Sequence, residues 1–141
     1  MKDLIDEYVR FNHFGVLVGM DFKLIAPGEV FYQMQIETQH LATPKHAHGG
    51  CISALADACM GVAALSLVAS KNLVVSTLEL KVSYFQAVAA KDKLTAHSQI
   101  KKAGNSIIFM EANISNQHGD LVAHSTGTFK AYAADKAGYT S

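Results

Sequence analysis

His48-Gly49-Gly50-Cys51-Ile52-Ser53-Ala54-Leu55-Ala56-Asp57 opens an apolar run that continues to Ala69 and carries one charge, Asp57. An unpaired carboxylate is costly to remove from water, so proteins pair it, hydrogen-bond it, or use its shifted proton affinity for chemistry. Asp57 is therefore the first candidate for function. The nineteen residues from Cys51 to Ala69 are long enough to raise the question of a membrane span. Six of them are alanine, too little Leu, Ile and Phe to offset a mid-membrane Asp at roughly 2.5 to 3.5 kcal/mol. A helix apolar all round and buried in a soluble core fits better, starting near Gly49 and ending around Ser70. No membrane partner is expected.

Working outward, Leu4, Ile5, Tyr8, Val9 and Phe11 recur at helical spacing and predict a short amphipathic N-terminal helix. From Gly15 to Glu37 the chain is rich in Val, Phe, Tyr and Ile, with Ala26-Pro27-Gly28-Glu29 as a turn, which predicts a hairpin. A loop runs from Thr38 to Ala47, where Pro44 restricts Thr43 to extended conformations. Beyond the long helix, Val74 to Phe85, Lys93 to Lys102, Ser106 to Asn116 and Leu121 to Tyr132 alternate or are β-branched, and predict strands of an antiparallel meander. Helices do not alternate with strands, so a parallel βαβ array is excluded. The expected class is α+β, an antiparallel sheet wrapped around one long central helix. It forms one domain over 1–141: an N-terminal helix at 1–12, a core at 15–132, and a tail at 133–141 that frays.

Composition narrows the function. With 141 residues, half of them hydrophobic, the chain can bury a core without staples. Twelve acidic and twelve basic residues leave no net charge, so nucleic acid is not an expected partner. Cys51 and Cys59 are eight residues apart in one helix, about 12 Å along the axis, and cannot bridge; they read as reduced core thiols. Acids near the N-terminus, Asp3, Asp6 and Glu7, are unlike a secretory signal, and a cytoplasmic protein is expected.

His48-Gly49-Gly50, then Leu55-Ala56-Asp57, then Gly61-Val62-Ala63-Ala64 resemble the hotdog-fold thioesterases, specifically the phenylacetate-pathway (PaaI-like) type of acyl-CoA thioesterase. The likeness extends through Thr77-Leu78-Glu79-Leu80-Lys81-Val82-Ser83-Tyr84 and through Lys101 to Phe129, covering about residues 15 to 132. It implies a hotdog fold whose chains join edge to edge as homodimers, often pairing again into homotetramers. It also implies hydrolysis of an acyl-CoA or aryl-CoA thioester with no cofactor beyond the CoA of the substrate. By the same resemblance, the backbone N–H of Gly49 polarises the thioester carbonyl, Asp57 activates water or attacks directly, and the Thr77 hydroxyl helps orient the attacking group.

The residues support this chemistry on their own terms. Thioester hydrolysis needs charge stabilisation at the carbonyl oxygen and a base for water. The first turn of a helix has free N–H groups and the positive end of the macrodipole, and glycine lets a substrate oxygen approach. The structural alternative is that Gly49-Gly50 merely makes a tight helix entry. For Asp57 the alternative is a hydrogen bond to backbone or to Ser53, one turn earlier; its apolar surroundings instead argue for a raised proton affinity. Gly49 and Asp57 are separated by about 12 Å of rise and roughly 80° of rotation, so the two from one chain can hardly meet at one carbonyl. A two-fold dimer pairing Gly49 of one copy with Asp57 of the other would solve this.

Other candidates are weaker. His48 either braces the loop or, with Gly50, contacts the substrate. Lys101 and Lys102 could meet CoA phosphates or simply be a solvated strand end. Thr77 shares a strand side with Glu79, Lys81 and Ser83 if that strand is regular, so it is expected on the polar side. His40, His46 and His48 suggest metal ligands by spacing, yet no Cys or carboxylate lies close in sequence to complete a site, and no metal is expected. The chain departs from the family at Ala42, where related proteins often carry Asn, and at Lys45, where Gly is usual. The rival readings are a non-catalytic acyl-CoA-binding module and a hotdog hydratase or dehydratase; the second is disfavoured because no His follows Asp57 within the helix.

Overall fold

The computed structural model describes residues 3–139, and its centre is the apolar helix. Six strands in the order β1-β2-β4-β5-β6-β3 form one antiparallel sheet. They are β1 (Met20–Ala26), β2 (Glu29–Gln35), β3 (Leu73–Tyr84), β4 (Lys93–Ala103), β5 (Ile107–Ser115) and β6 (Leu121–Ala133). The sheet curls around α3 (Gly49–Val68), which touches every strand. The inner face follows strand alternation: Val30, Tyr32 and Met34 on β2, and Ile108, Met110, Ala112 and Ile114 on β5 are all buried. On α3, large residues such as Leu55 and Met60 fill the space while Ala56, Ala63 and Ala64 let the sheet approach closely. Close approach also requires Gly127 on β6, since a Cβ there would lie 2.9 Å from Phe129 and 3.0 Å from Met60.

The N-terminal region differs from the expectation of a strand starting at Gly15. Two helices precede β1: α1 (Leu4–Phe11) and α2 (His13–Val18). The caps decide it. The Asn12 side chain accepts the Gly15 N–H at 3.1 Å, and Gly19, at φ 76°, ends the helix by donating to the carbonyls of Gly15 and Val16. These local bonds override the β preference of Val16 and Val18. Of the tail expected to fray over 133–141, residues 140 and 141 lie outside the described residues, and the part up to Tyr139 is ordered by contacts. Ala134–Ala137 forms a 3-10 turn, Ala134 is buried, and Tyr139 makes an edge contact with Phe11 at 6.0 Å between ring centroids. The alternation stops at Ala133 because the chain turns to pack on α1.

α3 starts at Gly49 as expected and runs to Val68, followed by a 3-10 turn to Lys71. It alone among the described residues is long and apolar enough to cross a membrane, and here it is the core helix. Cys51 and Cys59 are both free thiols.

Candidate active site

Asp57 lies on the α3 face turned toward the start of β3, and its Oδ1 accepts a hydrogen bond from Thr77 Oγ1 at 2.7 Å. The pair forms part of the wall of a cavity of about 350 Å³. Small residues on the same helix face, Ala54, Ala58 and Gly61, leave that space open. α1 and α2 contribute Tyr8, Asn12 and Phe14, and the C-terminal segment contributes Tyr139. Asp57 is thus half-buried at an open cavity rather than enclosed, and its partner is Thr77, not Ser53.

Strict alternation would have put Thr77 beside Glu79 on the polar side. The structure has a β-bulge there: Thr77 pairs with Phe129 and Glu79 with Thr128, so Leu78 is an extra residue. Thr77 therefore shares the side of buried Phe129 and faces α3, while Glu79 turns outward with Thr128. After the bulge the inward side passes to Leu80, Val82 and Tyr84. One irregularity thus aims both Thr77 and Tyr84 at the helix.

Tyr84 is the residue that sequence reasoning missed. Its hydroxyl donates to the Gly49 carbonyl at 2.8 Å and is also bonded to Ser53 Oγ. The ring lies against Gly49, where an added Cβ would sit 3.3 Å from Tyr84 Cζ. Gly50 is tighter still, with a Cβ position 2.8 Å from His48 Nδ1. His48 is the N-cap: its Nδ1 accepts the Gly50 N–H at 2.8 Å. That occupies the Gly50 amide, whereas the Gly49 N–H meets no acceptor among the described residues. With Nδ1 accepting, the neutral His48 ring carries its hydrogen on Nε2.

Gly49 and Asp57 open onto different spaces. Gly49 lines a second cavity of about 360 Å³ with Tyr84, Phe85 and Val88, and that cavity shares no residue with the one at Asp57. Lys101 and Lys102 line neither; Lys101 Nζ lies 3.9 Å from Glu111. The histidines His40, His46 and His48 do not converge: His40 bonds Val18 and Glu37, His46 meets Thr43, and His48 caps Gly50.

A phenol also faces the Asp57 cavity. Tyr8 is bonded to Tyr32 at 3.1 Å, and Asn12 donates to the same Tyr32 oxygen at 3.1 Å. Burial, then the Tyr32 hydroxyl and the nearby Asp57 charge, push the Tyr8 phenol well above its ordinary range, so it remains protonated. The cavity is therefore lined mainly by apolar groups and neutral hydroxyls, with one carboxylate.

Comparison with known proteins gives the family and the fold. The family described as the Thioesterase superfamily matches residues 44–123, which include His48, Gly49, Asp57 and Thr77. The E. coli PaaI protein from the phenylacetic acid degradation operon superposes with a TM-score of 0.84 at 22% identity, over 91% of this chain and 90% of that one. A hypothetical thioesterase protein of Streptococcus pneumoniae TIGR4, solved with coenzyme A, superposes with a TM-score of 0.80 at 23% identity, over 89% and 97%. A candidate esterase of Schizosaccharomyces pombe is 23% identical over 128 residues, 87% of this chain and 77% of that protein. The sheet-wrapped helix is the hotdog fold of these structures. With the family matched over more than half its length, this chain belongs to the thioesterase superfamily.

Proposed function

We propose that the protein hydrolyses acyl-CoA thioesters, with Asp57 as base or nucleophile and the Gly49 N–H as carbonyl donor. The observation that carries the reading is the Thr77-held carboxylate of Asp57 at 2.7 Å, set in the wall of a largely apolar cavity. The cavity suits an acyl group, and the coenzyme A bound to the Streptococcus pneumoniae relative supports CoA as the leaving thiol.

In the base route, Asp57 takes a proton from water as the oxygen attacks the thioester carbon. Charge grows on the carbonyl oxygen, where a backbone N–H at a helix start stabilises it. The carbon–sulfur bond then breaks, giving the free acid and the CoA thiol. In the nucleophile route the carboxylate attacks the thioester carbon first, the carbon–sulfur bond breaks to release the CoA thiolate, and water then opens the resulting anhydride to give the free acid and restore Asp57. Either route needs only water as co-reactant.

The donor and the carboxylate come from different copies in this proposal. They face separate cavities and are about 12 Å apart along α3, so a single chain does not bring them to one carbonyl. β3 supports a dimer through its edge. It has a neighbour on one side only, runs twelve residues, and exposes Leu78 and Leu80. An unpaired edge of that length with apolar side chains is a template for strand pairing. A two-fold axis there would create two equivalent sites.

The test is thiol release from a panel of acyl- and aryl-CoA thioesters by wild type and Asp57→Asn. Wild type should turn over at least one substrate, and the variant should lose about 100-fold or more, as for loss of a general base. Undiminished hydrolysis by the variant removes Asp57 from the chemistry. Binding without turnover by wild type would instead make the protein a carrier or sensor of thioesters.

A further inference from the structure

His40 is the only histidine buried among the described residues, at 3% exposure, and the reaction proposed above does not use it. It sits in the 3-10 turn Thr38–His40, at the neck of the loop leading into α3. Both ring nitrogens are engaged. Nδ1 accepts the Glu37 N–H at 2.9 Å, and Nε2 lies 2.6 Å from the Val18 carbonyl oxygen. A carbonyl can only accept, so the ring hydrogen is on Nε2, and one tautomer satisfies both partners.

These two contacts join separate parts of the molecule. Val18 is the last residue of α2, and α1 and α2 roof the Asp57 cavity through Tyr8, Asn12 and Phe14. On the other side, the His40 carbonyl accepts the His48 N–H at 2.7 Å. His48 immediately precedes Gly49, and its ring caps Gly50. The loop between them is closed by the Leu41–Ala47 bridge and by Ala42 N–H donating to His46 at 3.0 Å. The peptide presenting the Gly49 amide is thus held from two sides, by Ala47 N–H donating to the Val88 carbonyl at 2.8 Å and by the backbone of His40, whose ring is fastened to the roof helix.

We propose that His40 is a positioning residue that sets the direction of the Gly49 N–H by tying the loop neck to the end of α2. The proposal rests on the reading in which that N–H holds the thioester carbonyl. Of the two ring contacts, the tie to Val18 is the critical one, because it reaches α2 while the other stays within the turn. Removing it leaves a part-buried carbonyl without this partner and frees the neck to shift; a small change in donor direction is felt chiefly in the transition state, where the oxyanion forms. The signature is a fall in kcat with little change in KM.

Two conservative variants separate the contacts. His40→Gln places an amide N–H near the Nε2 position and retains the tie to Val18; His40→Asn places an oxygen near Nδ1, retains the Glu37 contact and loses that tie. Each is read by steady-state thioester hydrolysis, by backbone amide hydrogen exchange, and by urea unfolding. For His40→Asn, kcat should fall about tenfold with KM within about twofold, the size of one lost hydrogen bond. Exchange at the His48 amide should rise about tenfold while β4 and β5 amides keep their protection. His40→Gln should stay within about threefold of wild type in both measures.

Equal losses in the two variants would overturn the proposal, as would a kcat unchanged in His40→Asn. So would exchange that rises evenly across β4 and β5, the mark of general destabilisation. If His40→Asn does not fold, His40→Gln decides: exchange at His48 that rises in it despite the retained tie also overturns the proposal. Wild type that hydrolyses no thioester refutes the proposed function separately, and the exchange pattern at His48 still reports whether His40 orients the neck.

Discussion

Replacing Thr77 by Val tests the core of the site with the least structural disturbance. Valine keeps the β-branched shape and the strand preference of threonine, and removes only the hydroxyl bonded to Asp57 at 2.7 Å. A hydrogen bond to a charged group is worth about 1.5 to 3 kcal/mol, and the half-exposed position of Asp57 argues for the lower end. At about 1.4 kcal/mol per factor of ten, kcat/KM should fall about tenfold to thirtyfold. Asp57→Asn should cost more, about 100-fold or beyond. Because Thr77 acts only through Asp57, adding Thr77→Val to Asp57→Asn should cost little further, so the double-mutant cycle should show strong coupling. The assay is release of CoA thiol followed with a chromogenic disulfide. Burial raises both endogenous thiols, Cys51 and Cys59, above their ordinary range and so suppresses background near neutral pH. Additive losses in the cycle, or a Thr77→Val enzyme as fast as wild type, would refute the claim that the hydroxyl serves the carboxylate.

Further outcomes follow from neighbouring contacts. Tyr84→Phe removes the hydroxyl shared by Gly49 and Ser53; urea unfolding should show a loss of about 1 kcal/mol, together with a lower kcat, and no change in either would show that the bridge is idle. Gly61→Leu fills the cavity wall opposite Phe129; KM should rise about tenfold for bulky acyl groups while acetyl-CoA is spared, and an equal effect on all substrates would mean the acyl group lies elsewhere. Cys59 gives a pH signature. Burial pushes its thiol up to about 12 from 9.0, so the neutral form is favoured in the folded state. Its contribution to stability is present in full below pH 9.0 and drains away as pH rises toward about 12, because the unfolded thiol ionises first. Urea midpoints measured across pH 8.5 to 10.5 should therefore fall less steeply for Cys59→Ala than for wild type, and identical slopes would contradict it.

Much of the architecture was legible because it depends on local pattern. The apolar run from Cys51 to Ala69 reads as a core helix at any level of inspection, and the four strands after it lie within a few residues of their expected bounds. α2 was illegible for an equally physical reason. Val16-Leu17-Val18 has strand character, and only the side chain of Asn12 and the left-handed Gly19 turn it into a helix. In the site, Asp57 stood out as a charge among apolar residues, and Gly49-Gly50 as a helix entry. Tyr84 carried no comparable signal, since a tyrosine at the end of a strand is ordinary until its register is known.

The periodicity and the lone charge of this chain therefore determined that a sheet would wrap one apolar helix and that Asp57 needed a partner. Which partner it takes was decided by tertiary structure. Period-two alternation places Thr77 with Glu79, and only the extra residue at Leu78, selected by pairing against β6, separates them and turns Thr77 and Tyr84 toward α3. A bulge is the outcome of two strands competing for register, and strand β3 alone does not encode it.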